Sequence, residues 1–300
     1  MMKKALQEYC HSLNIEYVGI APKGPYGNLA EILKKRREQN QYTEFEEVSI
    51  AKRIEPRLTM EDVESIIVCL FPYSMDQDKK GNLAKYTYAL DYHTLIKEKL
   101  KKIGQFLEAK IPEFHYQPFV DTGPLVDRYI AYLAGIGFYG VNGHIICNKY
   151  GSYVVIGYLL TNYPFPIDEP LGESCMQCGR CRECCPGKAI LPNDTIDPRR
   201  CRSYVTQKKG ELTLEEIAVI QQDTLIFGCD ICQDVCPHNQ KIATTVMSEF
   251  REKIVSELSY EELSTVSNKE FMRRYKDRAF SWRGRKLLLR NFEYIKNRLL

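Results

Sequence analysis

No apolar run in this 300-residue chain approaches the roughly 18–20 residues a helix needs to cross a bilayer. Nor does the opening Met-Met-Lys-Lys-Ala-Leu-Gln-Glu-Tyr-Cys hold the apolar stretch or small-residue cleavage site of a secretory signal. A cytoplasmic location without membrane contact is expected. No period of solenoid length recurs and no coiled-coil stripe is visible, so a monomer is expected. Disorder is excluded too, because 44% hydrophobic and 27% charged residues are ordinary for a soluble globular chain of one large or two modest domains.

Cysteine, by contrast, is abundant. There are twelve, eight of them in two tight runs, and at this length such clustering suits metal-bound thiolates in a reducing compartment better than a disulfide framework. The first run, Cys175-Met-Gln-Cys178-Gly-Arg-Cys181-Arg-Glu-Cys184-Cys185-Pro186, contains C-x2-C-x2-C-x3-C-P when Cys184 is passed over. The second, Cys229-x2-Cys232-x3-Cys236-Pro237, lacks one ligand, which Cys201 can supply. Such runs hold 4Fe–4S clusters in two-cluster ferredoxins, the fourth cysteine of each run serving the other cluster. That rule assigns Cys175, Cys178, Cys181 and Cys236 to one cluster, and Cys185, Cys201, Cys229 and Cys232 to the other. Zinc also accepts C-x2-C pairs but leaves the x2-x2-x3-Pro run unexplained. Cys10, Cys69 and Cys147 lie in apolar surroundings and are expected in the core. Paired clusters serve either as a carrier or as a wire to a reaction centre, and the roughly 160 residues ahead of them favour the wire.

Those leading residues alternate helix and strand patterns. Helices are expected at 3–13, 28–37, 92–107 and 125–134, and strands at 17–21, 65–70 and 114–120. A hairpin is expected where 144–147 and 153–160 flank Asn148–Gly151. Pro164, Pro166 and Pro170 mark a linker, Thr213-Leu-Glu-Glu216 reads as a capping box, and the chain after Pro237 reads as mainly helical. The fold expected is α/β (α+β): residues 1–165 as an α/β domain, 166–245 as a ferredoxin-like module and 246–300 as a basic helical segment.

Val120-Asp121-Thr122-Gly123-Pro124 ends a predicted strand, and in α/β sheets the carboxyl ends of strands face ligand crevices. A carboxylate there serves as a general acid if burial raises its pKa. The plainer reading is an Asx turn or a helix cap before Leu125. Gly135-Ile-Gly-Phe-Tyr-Gly140 admits either a flat ligand or simple turns. Asp91-Tyr-His93 resembles the start of a cobalamin lower-ligand motif, but with Ile96 in place of a glycine it reads as an ordinary helix start.

Charge is lopsided. From Lys269 onward there are eleven Lys/Arg and three acids (+8), leaving 31 basic and 36 acidic residues elsewhere (−5). A basic tail carrying Tyr275, Phe280 and Trp282 suggests a polyanion-facing surface, or else a solvated helix face.

Taken together these residues resemble epoxyqueuosine reductases, the family that completes queuosine in tRNA. The resemblance runs from Lys52-Arg53-Ile-Glu-Pro56 through Val120-Asp-Thr-Gly-Pro124, Ala134-Gly-Ile-Gly-Phe138 and Tyr150-Gly-Ser-Tyr153. It continues through both cysteine runs, Cys201-Arg-Ser-Tyr-Val-Thr-Gln207, Gly228-Cys-Asp-Ile-Cys232 and Ser281-Trp-Arg-Gly-Arg-Lys286. It implies a cobalamin without a protein histidine beneath its cobalt, fed through two 4Fe–4S clusters by an outside flavodoxin- or ferredoxin-type donor. It also implies Asp121 as proton donor and Arg53, Asp121, Ile145, Ile156, Ser203 and Asp230 as cofactor contacts. Val141 departs from the family's lysine, and the sequence ends at Leu300 without the helical-repeat extension of longer members. The tRNA phosphates are then expected on Arg283, Arg285, Lys286 and Arg290. A small-molecule reductase of the reductive dehalogenase type and a non-catalytic electron carrier are the alternatives.

Overall fold

The computed structural model describes residues 1–75 and 81–297. Its strands are β1 (Tyr17–Pro22), β2 (Ser65–Pro72), β3 (Tyr116–Val120), β4 (Phe138–Tyr139), β5 (Ile145–Ile146) and β6 (Val154–Thr161). Four of them form one antiparallel sheet in the order β1-β2-β6-β3, while β4 and β5 pair separately. Around the large sheet pack α1 (Met2–Ser12), α2 (Gly27–Glu38), α3 (Ile50–Ile54), α4 (Tyr92–Glu108) and α5 (Asp127–Leu133).

All eight residues of β2 are buried, which follows from covering both faces of the sheet. Ile67, Cys69 and Phe71 join a core with Leu6 and Cys10 of α1 and Ile96, Leu100, Ile103 and Leu107 of α4. Ile66, Val68 and Leu70 alternate to the other face, where Leu29 and Leu33 of α2 and Ile130 and Ala131 of α5 cover them. Cys10, Cys69 and Cys147 are core side chains, as expected.

Three expectations change. The sheet is antiparallel, so the fold is α+β and the crevice rule for parallel sheets does not place Asp121. The hairpin across 148–151 is absent: β5 turns back onto β4, Cys147 and Gly151 close a tight loop, and β6 inserts between β2 and β3. Six of the eight β6 residues are buried, as in a central strand. Residues 237–259 are largely irregular, because their backbone bonds go to the sheet domain. Thr245 donates to Ser74 O (2.7 Å) through its amide and to Pro72 O (2.6 Å) through its hydroxyl, and Ala243 N donates to Lys149 O (2.9 Å).

The cysteine module carries four short helices, α6 (Arg180–Glu183), α7 (Arg202–Val205), α8 (Leu214–Ile220) and α9 (Ile231–Asp234). The capping box forms as expected: Glu216 N donates to Thr213 Oγ1 and Thr213 N donates to the Glu216 carboxylate (3.0 Å). Thr213→Ala should cost about 1 kcal/mol, visible as a lowered thermal midpoint by circular dichroism. Then follow α10 (Tyr260–Thr265), α11 (Asn268–Tyr275) and α12 (Arg285–Lys296). Their Leu263, Phe271, Leu287 and Leu288 share a core with Leu83, Tyr88, Ile226 and Phe227, which ties the C-terminal helices to the rest. Among the described residues no helix is long and apolar enough to cross a membrane.

Candidate functional site

The two cysteine runs fold into matching one-turn units. Cys178, Cys181 and Cys185 surround α6 as Cys229, Cys232 and Cys236 surround α9, and Cys201 stands at the head of α7. The thiols fall into two sets. Burial and then the charges of Cys175, Cys236 and Cys178 push the Cys181 thiol up, and burial followed by Cys175 and Cys178 does the same to Cys236. Burial and then Cys201, Cys229 and Cys185 push up Cys232, with a smaller push from Cys181 where the two sets adjoin, while burial foremost holds Cys229 at about 12. Crowded, half-buried thiols resist ionisation until a polycation arrives, so loading metal here releases protons. Cys184 is exposed and belongs to neither set. A single zinc gathers its ligands around one point. Among the described residues no three His, Cys, Asp or Glu are drawn so close. Cys175, Cys178, Cys181 and Cys236 instead line one pocket, walled by Val141 and Ile146. That apolar wall is what Val141 contributes in place of a lysine.

Arg202 positions the second set. Its side chain is buried, and it donates to the carbonyls of Ile220 (2.9 Å), Asp223 (2.9 Å), Leu225 (2.6 Å) and Gly228 (3.3 Å). One guanidinium thus straps down the segment that delivers Cys229.

Asp121 follows β3 with φ at +56°, a left-handed conformation that aspartate tolerates. Its side chain is 58% exposed. Tyr92 Oη donates to Asp121 Oδ2 at 2.6 Å, and His93 Nε2 lies 3.4 Å from the same oxygen. His93 Nδ1 is 2.7 Å from Asp91 Oδ1, and Asp91 also caps α4 by accepting from His93 N (3.0 Å). Burial works to raise the Asp121 carboxyl, but hydrogen bonds from His93 and Tyr92 outweigh it and hold it below the ordinary range. Burial likewise opposes charge on His93, and its bonds to Asp121 and Asp91 prevail, raising it to about 9. The direction expected for Asp121 is therefore reversed: at neutral pH the carboxylate is ionised and the proton sits on His93. Tyr92 and His93 were overlooked as functional residues, since the Asp91-Tyr-His93 triplet also suits a plain helix cap.

Tyr86 bridges to the cysteine module. Its ring meets Tyr92 edge-on at 6.1 Å and lies against Gly228 of the cysteine module, and burial foremost pushes its phenol well up. Asp230, between Cys229 and Cys232, accepts from Lys85 N (2.7 Å) and burial pushes it to about 6. Arg128 acts on Asp121, on Cys201 and on His144, whose imidazole burial and then Arg128 depress to about 4.

The remaining expected residues scatter. Arg53 pairs with Glu46 at 2.6 Å, Ser203 bonds the Tyr86 phenol, and Ile145 and Ile156 are core side chains. At Gly135, with φ at +65°, an added Cβ would stand 2.3 Å from the Glu169 carbonyl, so this glycine admits protein rather than a ligand. In the tail, Arg290 donates to the carbonyls of Lys208 and Gly210, Arg285 donates to Leu263 O, Arg283 lies over Trp282, and Lys286 is exposed. Two of the four basic side chains expected on phosphate are thus committed to carbonyls of the chain itself.

Known proteins share this arrangement. A family model described as epoxyqueuosine reductase QueG, DUF1730 matches residues 53–122, and a 4Fe-4S double cluster binding domain matches residues 174–239. The epoxyqueuosine reductase of Lactococcus garvieae is 33% identical over 302 residues, covering 98% of this chain and 86% of that protein. A crystal structure of epoxyqueuosine reductase with an epoxyqueuosine-modified tRNA stem loop has a TM-score of 0.90 at 31% identity, covering 98% of this chain and 80% of that one. The Bacillus subtilis enzyme, solved with its catalytic aspartate loop swung out of the active site, has a TM-score of 0.91 at 30% identity, with the same coverages. A catabolic reductive dehalogenase shares the fold alone, at 14% identity and a TM-score of 0.51. One family model ends just past Asp121, the other spans both cysteine runs, and a relative of one-third identity matches almost throughout, so this chain belongs to the epoxyqueuosine reductase family.

Proposed function

We propose that the chain reduces the epoxide of epoxyqueuosine in tRNA to the cyclopentene of queuosine. Two electrons and two protons enter, both epoxide C–O bonds break, a C=C bond forms and the oxygen leaves as water. One observation carries this reading: Asp121, with His93 and Tyr92, meets the cysteine module across a single tyrosine. The electrons come singly from an outside flavodoxin- or ferredoxin-type donor. Cys175, Cys178, Cys181 and Cys236 would hold one 4Fe–4S cluster and Cys185, Cys201, Cys229 and Cys232 the other, and the pair would supply single-electron transfer.

The cleft suits a cobalamin. Asp127 Oδ1 and Asp230 Oδ1 are buried acceptors without a partner among the described residues, and the amide rim of a corrinoid offers N–H donors to such oxygens. Ser203 and Arg53 are the further polar contacts. Both ring nitrogens of His93 face carboxylates, so this imidazole is committed to the proton path. Bound there, cobalamin supplies low-valent cobalt as the two-electron reductant of the epoxide.

The chain's own task is the proton. Asp121 presents an ionised carboxylate to the cleft, and Tyr92 fixes its orientation. His93, charged and steadied by Asp91, is the proton store: its proton passes through the Asp121 carboxylate to the leaving oxygen, solvent supplies the second proton of the water formed, and solvent then reprotonates His93. His93 keeps its proton below about 9 and loses it above. Turnover of epoxyqueuosine-containing tRNA by the reduced, cofactor-loaded protein should therefore hold level through neutrality and fall about tenfold per pH unit beyond 9. His93→Gln should remove that limb and lower kcat roughly 10²-fold. An identical limb in His93→Gln would sink the relay, and absence of queuosine from fully loaded protein would sink the function.

A further inference from the structure

Trp282 is the only tryptophan in the chain, and it is 53% exposed. It is nonetheless held in place. The Arg283 guanidinium lies 3.7 Å over its ring, its Nε1 donates to Gln207 Oε1 at 3.0 Å, and Phe45 meets it edge-on at 5.5 Å. Arg283 also stands 4.9 Å over Phe45, itself 41% exposed, and Tyr204 packs on Phe45 at 5.2 Å. A single exposed aromatic is unremarkable, but a group of them fixed in orientation marks a binding surface. Here one face of the indole is occupied by a guanidinium, its N–H edge is pinned, and the ring still offers area to a flat partner.

Charge does not bar a polyanion. Two of the three glutamates of this loop face cations, Glu46 paired with Arg53 (2.6 Å) and Glu44 4.0 Å from Arg283 while accepting from Tyr204 Oη (2.8 Å), and Glu47 accepts from Ser49 N (2.8 Å). Position ties the patch to the reaction. Gln207, which fixes the indole, donates to Tyr86 Oη (3.5 Å), Tyr86 meets Tyr92 edge-on at 6.1 Å, and Tyr92 donates to Asp121. Three side chains separate the indole from the carboxylate, a span that suits neighbouring nucleotides.

We propose that Trp282, backed by Arg283 and Phe45, is a stacking platform for an unpaired nucleobase flanking the modified nucleotide. This rests on the tRNA-modifying function above. Stacking on an aromatic is sequence-tolerant and substantial, and it favours loops over duplexes.

The probe is a fluorescently labelled RNA stem loop without the modification, added to the loaded protein. Trp282 emission should quench on binding, and a blunt RNA duplex should bind without quenching. By anisotropy, Trp282→Ala should weaken the stem loop about 5- to 150-fold, Phe45→Ala should weaken it less, and Trp282→Phe should restore most of the affinity. Circular dichroism confirms that each variant is folded. If the epoxyqueuosine-containing stem loop is turned over while emission and Trp282→Ala affinity stay unchanged, the platform is wrong and the function stands. If quenching follows an acidic flavodoxin-type carrier and not RNA, the surface docks the donor and the proposal fails. If no RNA binds at all, both fall.

Discussion

Asp121→Asn should lower kcat for epoxyqueuosine-containing tRNA by about 10²–10⁴-fold, with KM and iron content little changed. Asparagine matches the shape of the carboxylate and can still accept from Tyr92, so the loop keeps its place. It cannot take a proton from His93 and hand it on. The departing oxygen is then left to water, and the missing rate is the share owed to a positioned acid. A second signature separates this from mere misplacement. His93 is raised to about 9 by bonds to Asp121 and Asp91 against the opposing pull of burial. Without the Asp121 charge the imidazolium loses one of its two carboxylate partners, so His93 itself, followed by NMR of its ring, should titrate below 9 while the residual activity loses the alkaline limb. Undiminished turnover in Asp121→Asn would remove it from the mechanism. A lowered rate with an unmoved limb would leave His93 out of the relay.

The other large effect is expected at the cysteines. Two 4Fe–4S clusters amount to about eight irons per chain. Cys229→Ala should leave about four and abolish turnover, because the electron path is cut at the set nearest Asp230. Cys184→Ser should retain all eight and full activity, since Cys184 is exposed and lies outside both sets of thiols. Cys185→Ser is the discriminating partner: it is buried, and it faces Cys232 and Cys201. Iron analysis with anaerobic absorption spectra reads all three. Loss of a cluster in Cys184→Ser, with both retained in Cys185→Ser, would reverse the choice between adjacent cysteines. Four irons in the parent protein would dismiss the second cluster altogether.

The features legible in the sequence were those that depend on near neighbours. The spacing of Cys175 to Cys185 and of Cys229 to Cys236 encodes two wraps around a polynuclear centre, and the structure folds both into matching turns. The capping box at Thr213 and the apolar stripe of α4 are equally local. Features set by distant contacts did not show. His93 becomes a proton store only because a strand 23 residues further on ends with Asp121 beside it. The same meeting reverses the expected shift of Asp121, which burial alone would have raised. Ile145 and Ile146 pair backward with β4 where the turn residues Asn148–Gly151 suggested a forward hairpin. Arg290 reads as a phosphate ligand until the carbonyls of Lys208 and Gly210, some 80 positions earlier, are seen to occupy it. Trp282 stands out in the basic tail, but the Phe45 and Gln207 that orient it are distant in sequence.

The central place of β6 in the sheet imposes an order on biosynthesis. By the time β2 leaves the ribosome only β1 is present to pair with it, and its other edge stays open until β6 follows. About 80 residues separate the two strands, roughly 4–16 s of translation at typical elongation rates. Throughout that interval the nascent chain carries an unpaired Ser-Ile-Ile-Val-Cys-Leu-Phe edge, the kind of segment that recruits other chains. The clustered cysteines, Cys175 onward, are made only after the last strand of that sheet.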